Sequence, residues 1–338
     1  MRKKLEKNAE RPDQIIHGPF AARFGVPVDK KYYWETGLEM ADVGESYYPL
    51  YHSALASFVL WPYFDMEDEA RNTWLIVPDN RDIKLYSPLA HPNLPHEFAR
   101  LEPTQEAIKR FADRYGLLLH QVTLKHPTIE NRIKFGESLV NWKFELARMK
   151  LVRQLMIWVR RNDKDALSQH IIWDIGDIRR FKQTAVYLEW DSRRALIGYV
   201  KSPGATYGKP RYRIAPELTD PTAETHYFDW EYGDVIEPAR VLIHKEINAG
   251  LKDHVSPAIL PDRPNEIFML PDCLLSAMYV LLALEMTRGG RPPIKCKGCE
   301  EFFTPDHGRQ TYCTESCRKN HWYHKQKKLY ASDSRQDI

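Results

Sequence analysis

The sequence predicts an α+β protein with a mainly helical body, a small β portion and a cysteine-rich module near the C-terminal end. Two long segments, 104–116 and 138–161, carry apolar residues at helical spacing. Two short apolar runs, 184–190 and 195–200, flank a polar turn as the strands of a β-hairpin do. Four of the five cysteines fall between residues 296 and 317.

The 338 residues suffice for one large or two medium domains. We divide them into an aromatic-rich mixed region at 1–100, an α+β body at 101–290 and a C-terminal module at 291–338. The run Gly289-Gly290-Arg291-Pro292-Pro293 has the composition of a linker. It would place the module close to the body.

Helix signals occur throughout the body and in the region before it. Thr104 is a good N-cap and Gly116 a good stop for the first long helix. We predict further helices at 52–60, at 238–251 and from Asp272 to about residue 287. The second long helix has a basic face, predicted to be solvated, with an auxiliary phosphate surface as the alternative: Lys143, Arg148, Lys150 and Arg153.

The segment after Asp272 is apolar nearly all round, so we expect its helix to be the most buried element. Cys273 at its start is interpreted as a small hydrophobic residue. Strands are expected at 73–77 and 267–270, besides the hairpin.

The cysteine spacing predicts one metal site. The motifs Cys296-x2-Cys299 and Cys313-x3-Cys317 can place four thiolates tetrahedrally around one Zn²⁺. The alternatives are two disulfides or free thiols, and the lack of secretory features argues against disulfides. Gly298 would allow a positive φ in the first knuckle. Four sulfur ligands leave no open position, so the zinc would be structural.

The residues around the second cysteine pair predict a ligand-bearing helix. Thr314 is a credible N-cap, and Glu315 lies in the first turn, where the helix dipole favours an acid. A hairpin is expected between Phe302-Phe303 and Tyr312. Knuckle, hairpin and helix together predict a treble-clef-like zinc finger.

The finger also resembles a known class. Cys296-x2-Cys299, Phe302-Phe303 and Tyr312-Cys313-x3-Cys317-Arg318, followed by a basic helix, are similar to the C-terminal zinc finger of a set of poorly characterised prokaryotic proteins. That finger is related to the CGNR finger of bacterial transcription regulators. The resemblance covers about forty residues and implies DNA binding. Here the sequence after Cys313 reads Thr-Glu-Ser-Cys-Arg-Lys-Asn rather than Cys-Gly-Asn-Arg.

Basic charge is concentrated in the finger. Residues 291–330 hold nine Lys or Arg against four acids, a net +5 in a chain of net +3, so the remainder carries −2. Such a footprint is typical of phosphate binding, although a merely solvated basic terminus is the alternative. The alternative role for Trp322 is packing on Phe302 or Phe303. The predicted nucleic-acid contacts are Arg309, Arg318, Lys319, His321, Trp322, Lys325 and Lys328.

These features favour a cytoplasmic, nucleic-acid-binding regulator, with DNA preferred to RNA. The N-terminal run has no apolar segment, so we expect no signal peptide, and no apolar run has the length of a membrane span. The common nucleotide-binding, metalloprotease and hydrolase motifs are absent from the sequence, so no catalytic residue is assigned. The alternatives are a protein-interaction module and an enzyme of unfamiliar type in residues 1–290, with the finger as an accessory arm. Beside nucleic acid, the candidate partners are another protein and a second copy of the chain in a homo-oligomer.

Overall fold

The computed structural model describes residues 24–28, 31–40, 73–78, 82–118, 122–126, 133–174, 183–190, 193–201, 227–260, 263–287, 294–300, 302–303, 305 and 308–333. The predicted helix at 52–60 and the linker at 289–293 lie outside these residues. Within the described part, no helix has both the length and the apolar character needed to cross a bilayer.

Seven α-helices lie in the described part of the chain. They are α1 Leu94–Ala99, α2 Gln105–Tyr115, α3 Leu139–Arg161, α4 Lys164–Ser168, α5 Ile236–Leu251, α6 Leu274–Thr287 and α7 Glu315–Asp333. The capping predictions for α2 are confirmed, because Thr104 Oγ1 accepts from the Ala107 N–H at 3.2 Å and Gly116 ends the helix with φ 94°. Helix α3 starts in the same way, with Ser138 Oγ accepting from the Asn141 N–H at 3.2 Å.

The strands of the described residues form five sheets. The bounds are β1 Phe24–Pro27, β2 Tyr33–Thr36, β3 Glu39–Met40, β4 Thr73–Ile76, β5 Ile83–Tyr86, β6 Val122–Lys125, β7 Ile133–Ser138, β8 Ile171–Asp174, β9 Gln183–Trp190, β10 Arg193–Lys201, β11 Tyr227–Phe228, β12 Val255–Leu260, β13 Arg263–Pro271, β14 Ile294–Lys295 and β15 Phe302–Phe303. An antiparallel five-stranded sheet has the order β2-β4-β7-β6-β3. A four-stranded sheet has the order β11-β10-β9-β8 and contains the predicted hairpin as β9 and β10.

The α+β class is confirmed, but the prediction of a mainly helical body with a small β portion is wrong. Two-stranded sheets pair β1 with β5, β12 with β13 and β14 with β15. Strand β13 includes the predicted run 267–270, whereas its partner β12 was not predicted. The five-stranded sheet draws strands from both sides of residue 100.

The main core lies between α3, α5 and α6. Every residue of α6 from Leu274 to Leu282 is buried, as the apolar sequence predicts. Helices α5 and α6 approach closely at Gly250, where an added Cβ would lie 2.2 Å from the ring of Tyr279. A residue without a side chain is therefore required at this crossing. Cys273 is also buried in this core, in agreement with its interpretation as a small hydrophobic residue.

The prediction that the basic face of α3 is solvated is wrong for two of its four residues. Arg148 and Arg153 are buried, because this face packs against α5 and α6. Arg148 Nε donates to Glu246 Oε2 at 2.7 Å, and Arg153 Nη1 donates to Glu285 Oε2 at 2.8 Å. Of the other two residues, Lys143 is half-buried and Lys150 is exposed. Since Arg148 and Arg153 are withdrawn from solvent, this face offers no continuous phosphate surface.

Candidate metal centre and basic helix

The first cysteine pair lies in a knuckle that follows a short strand pair. Strands β14 and β15 pair antiparallel, with Ile294 opposite Phe303, and Cys296 follows β14 directly. The Glu300 N–H donates to the Cys296 carbonyl at 2.9 Å and closes the turn. The left-handed residue is Glu300, with φ 61°, so the predicted positive φ at Gly298 is wrong. The observed strand pair brackets the first two cysteines, whereas residues 304, 306 and 307 in the loop of the predicted hairpin lie outside the described residues.

Gly298 is required for a different reason. A Cβ at this position would lie 2.6 Å from the carbonyl oxygen of Cys317 and 3.1 Å from its carbonyl carbon. The knuckle therefore rests directly on the backbone of the first turn of α7. This close approach brings the two cysteine pairs together.

The second cysteine pair is positioned by the start of α7. Thr314 Oγ1 accepts from the Cys317 N–H at 3.1 Å, which confirms Thr314 as the capping residue. Glu315 lies in the first turn, where the positive end of the helix dipole stabilises its charge. Cys313 and Cys317 are thus one turn apart and face the knuckle.

The four sulfur atoms lie within 4.8 Å of one another. Cys313 Sγ lies 3.6 Å from Cys299 Sγ and 3.4 Å from Cys317 Sγ. A disulfide would require about 2.05 Å, and none of the four cysteines forms one. Ligands at about 2.3 Å from a tetrahedral centre would lie about 3.8 Å apart. The observed separations therefore fit a cluster that can hold a metal ion such as zinc.

Backbone N–H groups converge on the most buried of these sulfur atoms. Cys296 Sγ accepts from the N–H groups of Gly298 and Cys313, both at 3.3 Å. Burial raises the pKa of Cys296, but donation by the backbone of Cys313, Cys299 and Gly298 outweighs it and lowers the pKa to about 6. The cluster therefore contains a sulfur already stabilised as a thiolate, the form that binds metal.

One residue of the body also contacts the cluster. Arg100, directly after α1, donates from Nη1 to Cys313 Sγ at 3.1 Å. Burial raises the pKa of Cys313, and the hydrogen bond from Arg100 opposes that rise. No local sequence signal marks Arg100, because only the fold brings residue 100 next to residue 313.

A polar groove of about 570 Å³ separates α1 from the finger beside this contact. Asn93 and Glu97 line it from the body, while Arg309, Thr314 and Arg318 line it from the finger. The predicted contacts Arg309 and Arg318 therefore lie on one side of the same groove, next to the metal cluster.

The other predicted nucleic-acid contacts are distributed unequally along α7. Arg318 and Lys319 are exposed, and both pair with Glu315. Its Oε1 lies 2.6 Å from Arg318 Nη2 and 4.0 Å from Lys319 Nζ. His321 is half-buried, with Nδ1 3.1 Å from the Tyr312 hydroxyl. Lys325 and Lys328 lie within the bounds of α7, but their side chains are outside the described set.

Trp322 is not among the residues that pack against Phe303 in the core of the finger, and the side chain of Phe302 lies outside the described residues. The side chain of Trp322 is 63% exposed and that of Tyr323 is 61% exposed. The small core of the finger instead contains Cys296, Phe303 and Cys313, with Ile294, Tyr312 and Cys317 packed against it. Two large aromatic rings therefore project into solvent from α7, next to Lys319.

A second cluster of potential ligands lies in the body. His254 Nδ1 is 3.2 Å from the carboxylate of Asp272, and Cys273 completes a group of three. Burial raises the pKa of Cys273 to about 12, so its thiol is neutral at physiological pH. This group is smaller and less thiolate-rich than the C-terminal cluster, so we assign the metal centre to the latter.

Comparison with family models, curated proteins and solved structures finds no match to the chain. The likeness to CGNR-type fingers therefore rests on the finger residues alone.

Proposed function

We propose that this protein is a nucleic-acid-binding regulator, with DNA preferred to RNA, in which a structural zinc ion fixes a basic helix for contact with the polyanion. Cys296, Cys299, Cys313 and Cys317 would complete a tetrahedral thiolate shell, which leaves no position for a reacting water. The zinc would thus supply rigidity to the finger and take no part in a reaction.

The observation that carries this proposal is the exposed surface at the start of α7. It combines the cations Arg318 and Lys319 with the exposed rings of Trp322 and Tyr323. Arginine and lysine bind phosphates, while aromatic rings stack on bases or wedge between them. A solvated terminal helix without a partner has no need to expose two large aromatic rings.

Intramolecular acids neutralise this surface only in part. Glu315 is the acid within reach of both Arg318 and Lys319, and all three side chains are exposed. Exposed pairs of this kind contribute at most about 1 kcal/mol and exchange readily with a phosphate. The pairs are therefore compatible with binding of a polyanion.

The test is fluorescence anisotropy of the full chain with labelled duplex DNA, single-stranded DNA and RNA of the same sequence, over a range of salt. We expect the logarithm of the binding constant for duplex DNA to fall linearly with the logarithm of the salt concentration. The slope should be about 0.9 per phosphate contact. Replacing Arg318 and Lys319 together with Ala should lower that slope by about 2. Lys150→Ala, at an exposed body position, should match the wild type. Salt-independent binding, or none, would refute the proposal.

A protein-interaction module is the second candidate, and the same exposed aromatics support it. Tryptophan and tyrosine are the residues that most often dominate protein interfaces. Under this alternative, Trp322→Ala would abolish capture of one stoichiometric protein after nuclease treatment. The Arg318 and Lys319 substitutions would leave that capture nearly intact.

A further inference from the structure

A cavity of about 300 Å³ opens between α5, α6 and β11. This volume is at the lower end of the range for small-molecule sites. His244 and Asn248 add polar groups, and none of the described lining residues is acidic. The apolar walls are formed by Phe228, Val241, Leu251, Ala283 and Met286.

Lys245 supplies a positive charge to this cavity. It is half-buried; its Nζ donates to the Ile197 carbonyl at 2.9 Å and lies 5.9 Å from the centroid of the Phe228 ring. Among the described residues, no carboxylate lies within salt-bridge distance of this ammonium. An ammonium has three donors, and the Ile197 carbonyl accepts from one of them. Burial disfavours the charged form and lowers the pKa of Lys245.

The charge around the cavity indicates a singly charged anion. His244 lies on the rim, and burial followed by the nearby Arg240 lowers its pKa, so it is neutral at pH 7. Arg240 is engaged by Glu237 one turn away. Lys245 is the one lysine or arginine among the described lining residues, whereas a phosphate dianion would require several converging donors.

We propose that this cavity binds a small organic carboxylate, with its apolar part between α5 and α6 and its carboxylate paired with Lys245. The body would then contain a ligand-binding site that is separate from the finger. It does not depend on nucleic-acid binding by the finger, so either proposal can fail without the other.

The test is a ligand-observed NMR titration of the full chain with phenylacetate, and with phenylacetamide as the uncharged analogue. We expect phenylacetate to bind at least about tenfold more tightly, because a charge-assisted hydrogen bond is lost in the amide. Lys245→Met keeps much of the side-chain volume and should reduce phenylacetate affinity to that of the amide. Lys150→Met removes an exposed lysine of α3 and should have no effect.

A second variant separates loss of the site from loss of the fold. Ala283→Leu fills the apolar end, keeps Lys245 and should also abolish binding, while thermal unfolding verifies that each variant is folded. Equal affinity for phenylacetate and phenylacetamide would overturn the proposal. Undiminished binding to folded Lys245→Met, or no binding by the wild type up to the solubility limit, would do the same.

Discussion

The Arg100 guanidinium donates to the Sγ of Cys313 at 3.1 Å, across 213 positions of sequence. Four thiolates around Zn²⁺ carry a net charge of about −2, so a guanidinium beside one of them is favourably placed. Outer groups that donate to metal ligands orient them and tune the metal. Arg100 thereby links the body to the metal centre.

Arg100→Ala should weaken zinc binding by about tenfold or more, the usual cost of removing such an outer group. Competition with a chromophoric chelator measures this directly. Substitution with Co²⁺ gives a second readout, because the sulfur-to-metal charge-transfer band should shift when the donor is lost. Arg114→Ala is the matched control, since Arg114 pairs with Glu97 on the body surface at 3.4 Å. Equal zinc affinities for the wild type and Arg100→Ala would show that this contact does not support the metal centre.

Gly298→Ala should also lower zinc affinity by about tenfold, a cost of about 1.4 kcal/mol. The new Cβ would lie 2.6 Å from the Cys317 carbonyl oxygen, so the knuckle and α7 must move apart and separate the sulfur atoms. Lys297→Ala, at the exposed neighbouring position, is the control. The rate of zinc release to a chelator should rise in the glycine variant alone. Identical release from both variants would contradict the close packing of the knuckle on α7.

The metal cluster and helices α2 and α3 could be predicted because their signals are local. A cap, an apolar period and a Cys-x2-Cys spacing can each be recognised within a few residues. The five-stranded sheet could not, because β2 pairs with β4 and β4 with β7 across long separations. Strand β4 corresponds to the predicted strand at 73–77, whereas β2, β3 and β6, of two to four residues, are too short for alternation to appear.

The buried arginines were missed for a related reason. Arginine is normally exposed, and the closest carboxylates to Arg148 and Arg153 belong to Glu246 and Glu285, which lie 98 and 132 residues away. Arg100 at the metal centre is the same case. Arg148 also pairs with Glu145 on its own helix, at 3.5 Å. In all three cases, however, the guanidinium binds a group from a distant helix or from the finger, and the local sequence does not predict that contact.

Glu246→Ala should destabilise the body by about 3–5 kcal/mol, because it removes the closer of the two buried carboxylates that pair with Arg148, the other being Glu145 at 3.5 Å. Arg148 also donates from Nη2 to the Glu246 backbone carbonyl at 3.0 Å and lies 4.9 Å from the Tyr279 ring centroid. Chemical denaturation measures the loss. On the same helix, Glu237→Ala breaks an exposed pair with Arg240 and should cost less than about 1 kcal/mol.

A triple variant tests the physical reason for that loss, because the buried Glu145 also pairs with Arg148, at 3.5 Å. Arg148→Met with Glu145→Leu and Glu246→Leu removes the three charges together and should recover most of the stability, since well-packed apolar residues can replace a buried ion cluster. If the triple variant were as unstable as Glu246→Ala, the cost would lie in packing rather than in an unbalanced buried charge.

Stability should fall as the pH is lowered from about 6.5 to about 4, because of His96. This side chain is fully enclosed; its Nδ1 contacts Arg153, and its Nε2 lies 3.6 Å from Glu285. Burial, followed by the charge of Arg153, lowers the pKa of His96 from 6.5 to about 4. Between pH 6.5 and pH 4, His96 therefore takes up a proton in the unfolded chain but not in the folded chain. The contribution of the neutral His96 to stability is complete above pH 6.5 and is lost on acidification.

Urea denaturation of the wild type and of His96→Asn, followed from pH 8 to pH 4, measures the difference between their free energies of unfolding. That difference should be constant above about pH 7 and shrink by up to about 3 kcal/mol below it. A constant difference across the whole range would mean that His96 titrates alike in the folded and unfolded chains.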